Sequence, residues 1–135
     1  MMSKRKRILI VDDEVGFTRI LKLNLHHTGR FTAECVNNPH EALAVARSFS
    51  PDLIFLDVLM PGVDGGTVAR QFQQTEKFSG VPIVFLTAAV KKNEVASREG
   101  CIGGLPFIAK PVGVQEIVGC IERYLPKTRG DPRDR

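Results

Sequence analysis

Apolar residues in this chain fall into short unbroken runs: Ile8-Leu9-Ile10-Val11, Leu53-Ile54-Phe55-Leu56, Ile83-Val84-Phe85-Leu86 and Phe107-Ile108-Ala109. Runs this short and this rich in Val, Ile and Phe read as strands buried on both faces of a parallel sheet. Between the runs the apolar spacing changes to that of helices. Phe17, Ile20, Leu21 and Leu25 recur at helical intervals and are expected to face the sheet. Val114, Ile117, Val118, Ile121 and Leu125 do the same, and Pro126 then ends the helix. Asn38-Pro39-His40-Glu41 offers an N-cap, a proline at the first helical position and a Glu at the third, which is a capping box. The pattern predicts strands over 7–11, 31–36, 52–57, 82–87 and 106–109, and helices over 14–26, 39–48, 66–75, 91–99 and 114–125. Strict alternation of the two means crossover units and an α/β fold built on a parallel sheet. The helix at 91–99 is the weakest, with only Val95 and Ala96 as apolar anchors and Gly100, Gly103, Gly104 and Pro106 just beyond, so a short or mobile element is expected there.

Length and charge narrow the setting. A chain of 135 residues is one domain by size, and 43% hydrophobic with 25% charged residues is ordinary for a globular core. No apolar stretch approaches the roughly 18 residues of a membrane span. The basic residues Lys4 to Arg7 lead into a strand and then into Asp12, Asp13 and Glu14, unlike a secretory signal, so a cytoplasmic location is expected. The net charge of +4 is a property of the ends: residues 1–7 carry +4 and residues 126–135 carry +2, which leaves −2 for the span between. We therefore expect one domain over 6–125 with basic, poorly ordered tails at 1–5 and 126–135, and no direct nucleic-acid binding. Cys35, Cys101 and Cys120 have neither disulfide nor zinc-site spacing and read as buried small apolar residues. His26, His27 and His40 read as surface residues.

The chemistry lies at the strand ends. The four runs lead into Asp12-Asp13, Asp57, Thr87 and Lys110-Pro111. Ligands of an open parallel sheet bind at the carboxyl ends of its strands, so these residues are expected to converge. Three carboxylates at about 5 Å repel by roughly 3 kcal/mol per pair at an effective dielectric near 20. A divalent cation relieves this, and an oxygen-only site of few carboxylates suits Mg²⁺. Lys110 adds an ammonium and Thr87 a hydroxyl, both suited to phosphoryl oxygens. Asp57 stands alone at the end of a central strand, before the turn-rich Val58-Leu59-Met60-Pro61-Gly62-Val63-Asp64-Gly65, and is the expected acceptor of a phosphoryl group.

Two other chemistries fit less well. A phosphohydrolase of the haloacid dehalogenase type needs a general acid two residues after its Asp nucleophile, where this chain has Leu59. A nucleotide-binding domain needs a glycine-rich loop after the first strand, where Asp12-Asp13-Glu14 would repel phosphates.

Taken together, the acidic pair with Glu14, Asp57-Val58-Leu59-Met60-Pro61-Gly62 with Asp64-Gly65, Thr87-Ala88 and Lys110-Pro111 resemble the receiver domain of two-component response regulators, over about residues 6–125. The resemblance implies the CheY-like, flavodoxin-like (βα)5 fold, a doubly wound five-stranded parallel sheet of order 2-1-3-4-5 with helices on both faces. It implies that Asp57 is phosphorylated by a sensor histidine kinase or phosphotransfer protein. Mg²⁺ would be ligated by Asp13, Asp57 and the backbone carbonyl of Leu59, with Asp12 holding metal-bound water. Thr87 and Lys110 would contact the phosphoryl oxygens, and Thr87 and Phe107 would form the switch. The Lys110-Pro111 bond falls where the family has a cis peptide. The output would be a shift of the face formed by the last two helices and the last strand, read by a downstream protein or effector domain, with a phosphorylation-dependent homodimer compatible with it. A receiver catalyses only its own phosphoryl transfer and dephosphorylation and is not otherwise an enzyme. The alternative is a receiver-like interaction module that works without phosphorylation, which predicts loss of the acidic pair, Asp57 or Lys110, and all are present. Phe107 departs from the usual Tyr, so it carries no hydroxyl, and Pro106 precedes it where an acid or Asn is expected.

Overall fold

The computed structural model describes residues 5–88, 101–102, 104–110 and 112–125. The expected helix at 91–99, Pro111 and nearly all of both tails lie outside the described residues. The strands are β1 (Lys6–Val11), β2 (Phe31–Val36), β3 (Leu53–Asp57), β4 (Leu59–Met60), β5 (Val63–Asp64), β6 (Ile83–Thr87), β7 (Cys101–Ile102) and β8 (Leu105–Ala109). The described α-helices are α1 (Val15–His27), α2 (Ala42–Phe49), α3 (Gly65–Gln74) and α4 (Val114–Tyr124).

β1, β2, β3, β6 and β8 form the expected five-stranded parallel sheet, ordered β2-β1-β3-β6-β8. One feature was not expected. β7 pairs antiparallel with the start of β8, Cys101 opposite Pro106, and adds a sixth, two-residue strand at the edge. Gly104, at φ +84°, makes the turn between them. The register with β6 begins only at Phe107, so Pro106, which lacks an N–H, takes no place in that ladder.

Alternation along each strand divides the core in two. Leu9, Val11, Ile54, Leu56, Ile83 and Phe85 meet Ala42, Ala46 and Phe49 of α2 and Val68, Ala69 and Phe72 of α3 on one face. Ile8, Ile10, Leu53, Phe55, Val84 and Leu86 meet Leu21 and Leu25 of α1 and Ile117 and Ile121 of α4 on the other. Helices thus cover both faces, and β1 and β3 are apolar at every central position because neither face sees water. Among the described residues no helix is long and apolar enough to cross a membrane.

Three local expectations are corrected. Ile20 does not face the sheet: it is 61% exposed, and Thr18 is buried alongside Leu21 and Leu25. Thr18 tolerates burial because its hydroxyl donates to Val15 O and accepts from Asn37. The capping box is also different. Asn38 accepts from the His40 N–H and caps a 3-10 turn, Pro39–Glu41, from which α2 continues. Cys35 and Cys120 are half-buried rather than buried, and burial pushes the Cys120 thiol up to about 11, far from thiolate chemistry. His26, though exposed, is not idle, since its Nε2 accepts from the Ala33 N–H of edge strand β2.

α2 ends at Ser50, which adopts a left-handed conformation (φ 55°) immediately before Pro51. A residue with a Cβ is strained there, and a following proline restricts it further. Ser50→Gly should therefore stabilise the fold by about 0.5–1 kcal/mol, the strain relief exceeding the added chain entropy of glycine. Urea unfolding of the two proteins checks this, and a loss of stability in the variant would contradict it.

Candidate functional site

Strand order reverses between β1 and β3, each of which has its next neighbour on the opposite side, and the carboxyl ends of such a pair are where an open parallel sheet takes its ligands. The ladder registers place the chemistry there in steps. Val11 pairs with Leu56, so Asp12 stands level with Asp57; Asp57 pairs with Leu86, one residue before Thr87; and Thr87 pairs with Ala109, one residue before Lys110. The Lys110 N–H donates to Thr87 O at 2.9 Å and carries the ladder past the end of β8.

Asp12, Asp57 and Thr87 are buried and Asp13 is half-buried. Asp12 is held by its backbone: its N–H donates to Val36 O at 3.0 Å and its carbonyl accepts from the Asn37 amide at 2.8 Å. Its Oδ1 accepts from the Glu14 N–H at 2.9 Å. The Lys110 ammonium lies 2.6 Å from Asp12 Oδ2, 2.7 Å from Glu14 Oε1 and 3.9 Å from Asp57 Oδ2. Only the Glu14 contact among these three has hydrogen-bond geometry. Asp12 Oδ2 lies buried against that ammonium as an ion pair, and among the described residues it accepts no well-aligned hydrogen bond. The same ammonium sits 4.6 Å above the ring of Phe17.

The loop after Asp57 is drawn back over its own start. β4 and β5 form a two-residue hairpin, and the Gly65 N–H donates to Val58 O at 2.8 Å. A Cβ at Gly65 would overlap the Asp57 carbonyl oxygen and lie 2.8 Å from Val58 Cα, so only glycine lets α3 start this close to the acid. Leu59, the first residue of this hairpin, is exposed.

Electrostatics follow from burial. Burial, then the charge of Asp12 and the nearness of Asp13, push Asp57 up to about 7 against an ordinary 3.8, with Lys110 opposing. Burial also raises Asp12, against Lys110 and the Glu14 N–H. Burial alone would lower Lys110, but Asp12 and Glu14 outweigh it and hold the ammonium above its ordinary value.

One oxygen from each of Asp12, Asp13 and Asp57 lies within 4.8 Å of the others. The donor set is all oxygen, its charges repel, and among the described residues only the Lys110 ammonium compensates the buried Asp12 Oδ2. These residues fit a hard divalent cation that keeps part of its water.

The structure thus brings together Asp12, Asp13, Asp57 and Lys110, with Thr87 buried at the end of the neighbouring strand. Phe107 is buried against the α2 and α3 face of the core. Pro111, partner in the expected cis peptide, lies outside the described residues. Sequence reasoning missed the ties made by Glu14, Phe17, Asn37 and Gly65. Glu14 and Gly65 lay within the motifs, but neither contact has a spacing signature; Phe17 read simply as core.

Comparison with known proteins agrees with this geometry. Residues 8–122 match the family described as response regulator receiver domain. The chain is 33% identical over 135 residues to the DNA-binding response regulator MtrA of Mycobacterium tuberculosis, covering 99% of this chain and 57% of that protein. It is 30% identical over 129 residues to the DNA-binding dual master transcriptional regulator RpaA of Synechocystis, covering 94% and 52%. The chain spans about half the length of these relatives. Among solved structures, a response regulator from Chloroflexus aurantiacus superposes with a TM-score of 0.77 at 31% identity, covering 92% of this chain and all of that one. The chemotaxis protein CheY4 of Vibrio cholerae shares the fold, with a TM-score of 0.77 at 23% identity over 90% of this chain and 100% of that one. The chain belongs to the response regulator receiver domain family of two-component signalling.

Because Asp57 holds its proton to about pH 7 when folded and only to 3.8 otherwise, the folded state binds more protons between those values. Stability gained from that proton is complete below pH 3.8 and is lost as pH rises through 7. At about 1.4 kcal/mol per tenfold change in proton affinity, the loss is on the order of 4 kcal/mol. In chelator, metal-free wild type should lose stability from pH 5 to 8, while Asp57→Asn, equal in shape but uncharged, should lose much less. Thermal melts across that range measure it. An Asp57→Asn protein that declines as steeply as wild type would contradict the assignment.

Proposed function

We propose that this chain is a phosphorylation-operated switch in which Asp57 receives a phosphoryl group from a phosphohistidine on a sensor histidine kinase or phosphotransfer protein. The observation that carries this reading is the placement of the buried Asp57 carboxylate beside Asp12 and Asp13 oxygens within 4.8 Å and the Lys110 ammonium at 3.9 Å. An Asp57 oxygen forms the new O–P bond as the P–N bond of phosphohistidine breaks, and the electron pair leaves with the imidazole nitrogen. Most of the work is positioning and neutralisation of charge. Lys110 and the Thr87 hydroxyl meet the phosphoryl oxygens. Asp13, Asp57 and the Leu59 carbonyl, with Asp12 through water, would hold Mg²⁺, which supplies positive charge to those same oxygens. The receiver catalyses its own phosphorylation and dephosphorylation and acts on no separate substrate.

The output reading rests on Thr87 and Phe107. Their strands are paired neighbours, with Phe107 two positions before the partner of Thr87, so a displacement of Thr87 toward a phosphoryl group changes the space beside the Phe107 ring. Lacking a hydroxyl, this ring signals by occupancy alone. The partner reading the change is a downstream protein or an effector domain, and a homodimer formed on phosphorylation is one form it takes. The relatives' DNA-binding names fit a receiver that governs such a domain without touching nucleic acid itself. The setting proposed is the cytoplasm.

Incubation with acetyl phosphate and Mg²⁺, followed by borohydride reduction and peptide mass spectrometry, should place one label on Asp57. Asp57→Asn should abolish it, Asp13→Asn should raise the Mg²⁺ concentration required, and chelation should stop the reaction. Label retained in Asp57→Asn, or none in wild type, would overturn the proposal.

A further inference from the structure

We propose that Glu14 is a positioning residue that latches Lys110 away from Asp57, so that phosphorylation must break a tie between α1 and the end of β8. This rests on the phosphoacceptor reading above and extends it. The Lys110 ammonium faces two kinds of negative charge. Asp12 is buried and fixed by its backbone bonds, and at 2.6 Å it holds the ammonium within the site. Glu14 is different: its side chain is 60% exposed, yet its Oε1 takes the hydrogen bond from Lys110 at 2.7 Å. Glu14 also occupies the N-cap position of α1 but makes no side-chain capping bond. Its carboxylate is committed to the lysine rather than to its own helix. Phe17, one turn further along α1, draws the ammonium to the same side, 4.6 Å above its ring. Asp57 Oδ2, at 3.9 Å, lies beyond hydrogen-bond range.

The strengths of these contacts make a latch. An exposed ion pair is weak, so Glu14 biases the ammonium without trapping it. A phosphoryl group on Asp57 offers three strong acceptor oxygens in a water-poor site and wins the competition. As Lys110 turns toward it, the α1 side loses both Glu14 and the cation–π contact. The resting contact thus slows acceptance, and its release marks the phosphorylated state at α1.

Acetyl phosphate provides the test without a partner: an Asp57 oxygen forms the O–P bond as the donor's P–O bond breaks, and acetate leaves with the electron pair. At Mg²⁺ saturating for each protein, Glu14→Gln should be phosphorylated about two- to five-fold faster than wild type. Glu14→Asp, with a shorter but charged arm, should fall between. The advantage of Glu14→Gln should shrink at high salt, which screens the wild-type pair, whereas a merely structural effect has no reason to follow ionic strength. Equal or slower labelling of Asp57 in Glu14→Gln, or an advantage indifferent to salt, would overturn the latch while leaving the phosphoacceptor reading intact. Absence of label on wild-type Asp57 would overturn both.

Discussion

Everything at this site follows from negative charge confined at the edge of a water-free sheet. Asp12 and Asp57 are level with each other on neighbouring strands that are apolar on both faces, so neither can turn its carboxylate away into solvent. Among the described residues one ammonium, from Lys110, answers them. A carboxylate left in that setting keeps its proton or acquires a cation, and Asp57 keeps its proton to about pH 7. The fold pays for this arrangement through its two cores, which fix the strands and thereby the distance between the acids.

The same confinement suits phosphoryl chemistry. A group whose charge is poorly compensated at rest is stabilised when positive charge arrives, and under the proposed function a phosphoryl donor would meet a site already shaped to receive it. Gly65 shows how closely this is built: α3 begins against the backbone of the acid itself, and no larger residue fits. The acid therefore stands on a rigid strand, with a short hairpin and a helix start closing behind it.

Strands and strand-end residues were legible in the sequence because burial on both faces of a sheet leaves an unambiguous apolar run, and register then carries Asp12, Asp57, Thr87 and Lys110 to one edge. Family resemblance supplied the strand order. What was not legible depends on side chains reaching across the fold. Glu14 and Lys110 are 96 residues apart, and nothing in either neighbourhood announces their hydrogen bond. Ile20 shows that hydrophobicity at helical spacing does not guarantee burial: Thr18, hydrogen-bonded to Val15 and Asn37, holds the inner position. The two-residue β7 is too short to leave a pattern.

If confined charge governs the site, metal binding and protonation of Asp57 must exclude each other. Isothermal titration of Mg²⁺, repeated in buffers of different ionisation enthalpy, counts the protons released per ion bound. Release should approach one proton near pH 6, where Asp57 is still largely protonated, and fall toward zero by pH 8.5. Binding without proton release at any pH would contradict the account, because it would mean that Asp57 is already ionised at rest and the carboxylates are not held in conflict.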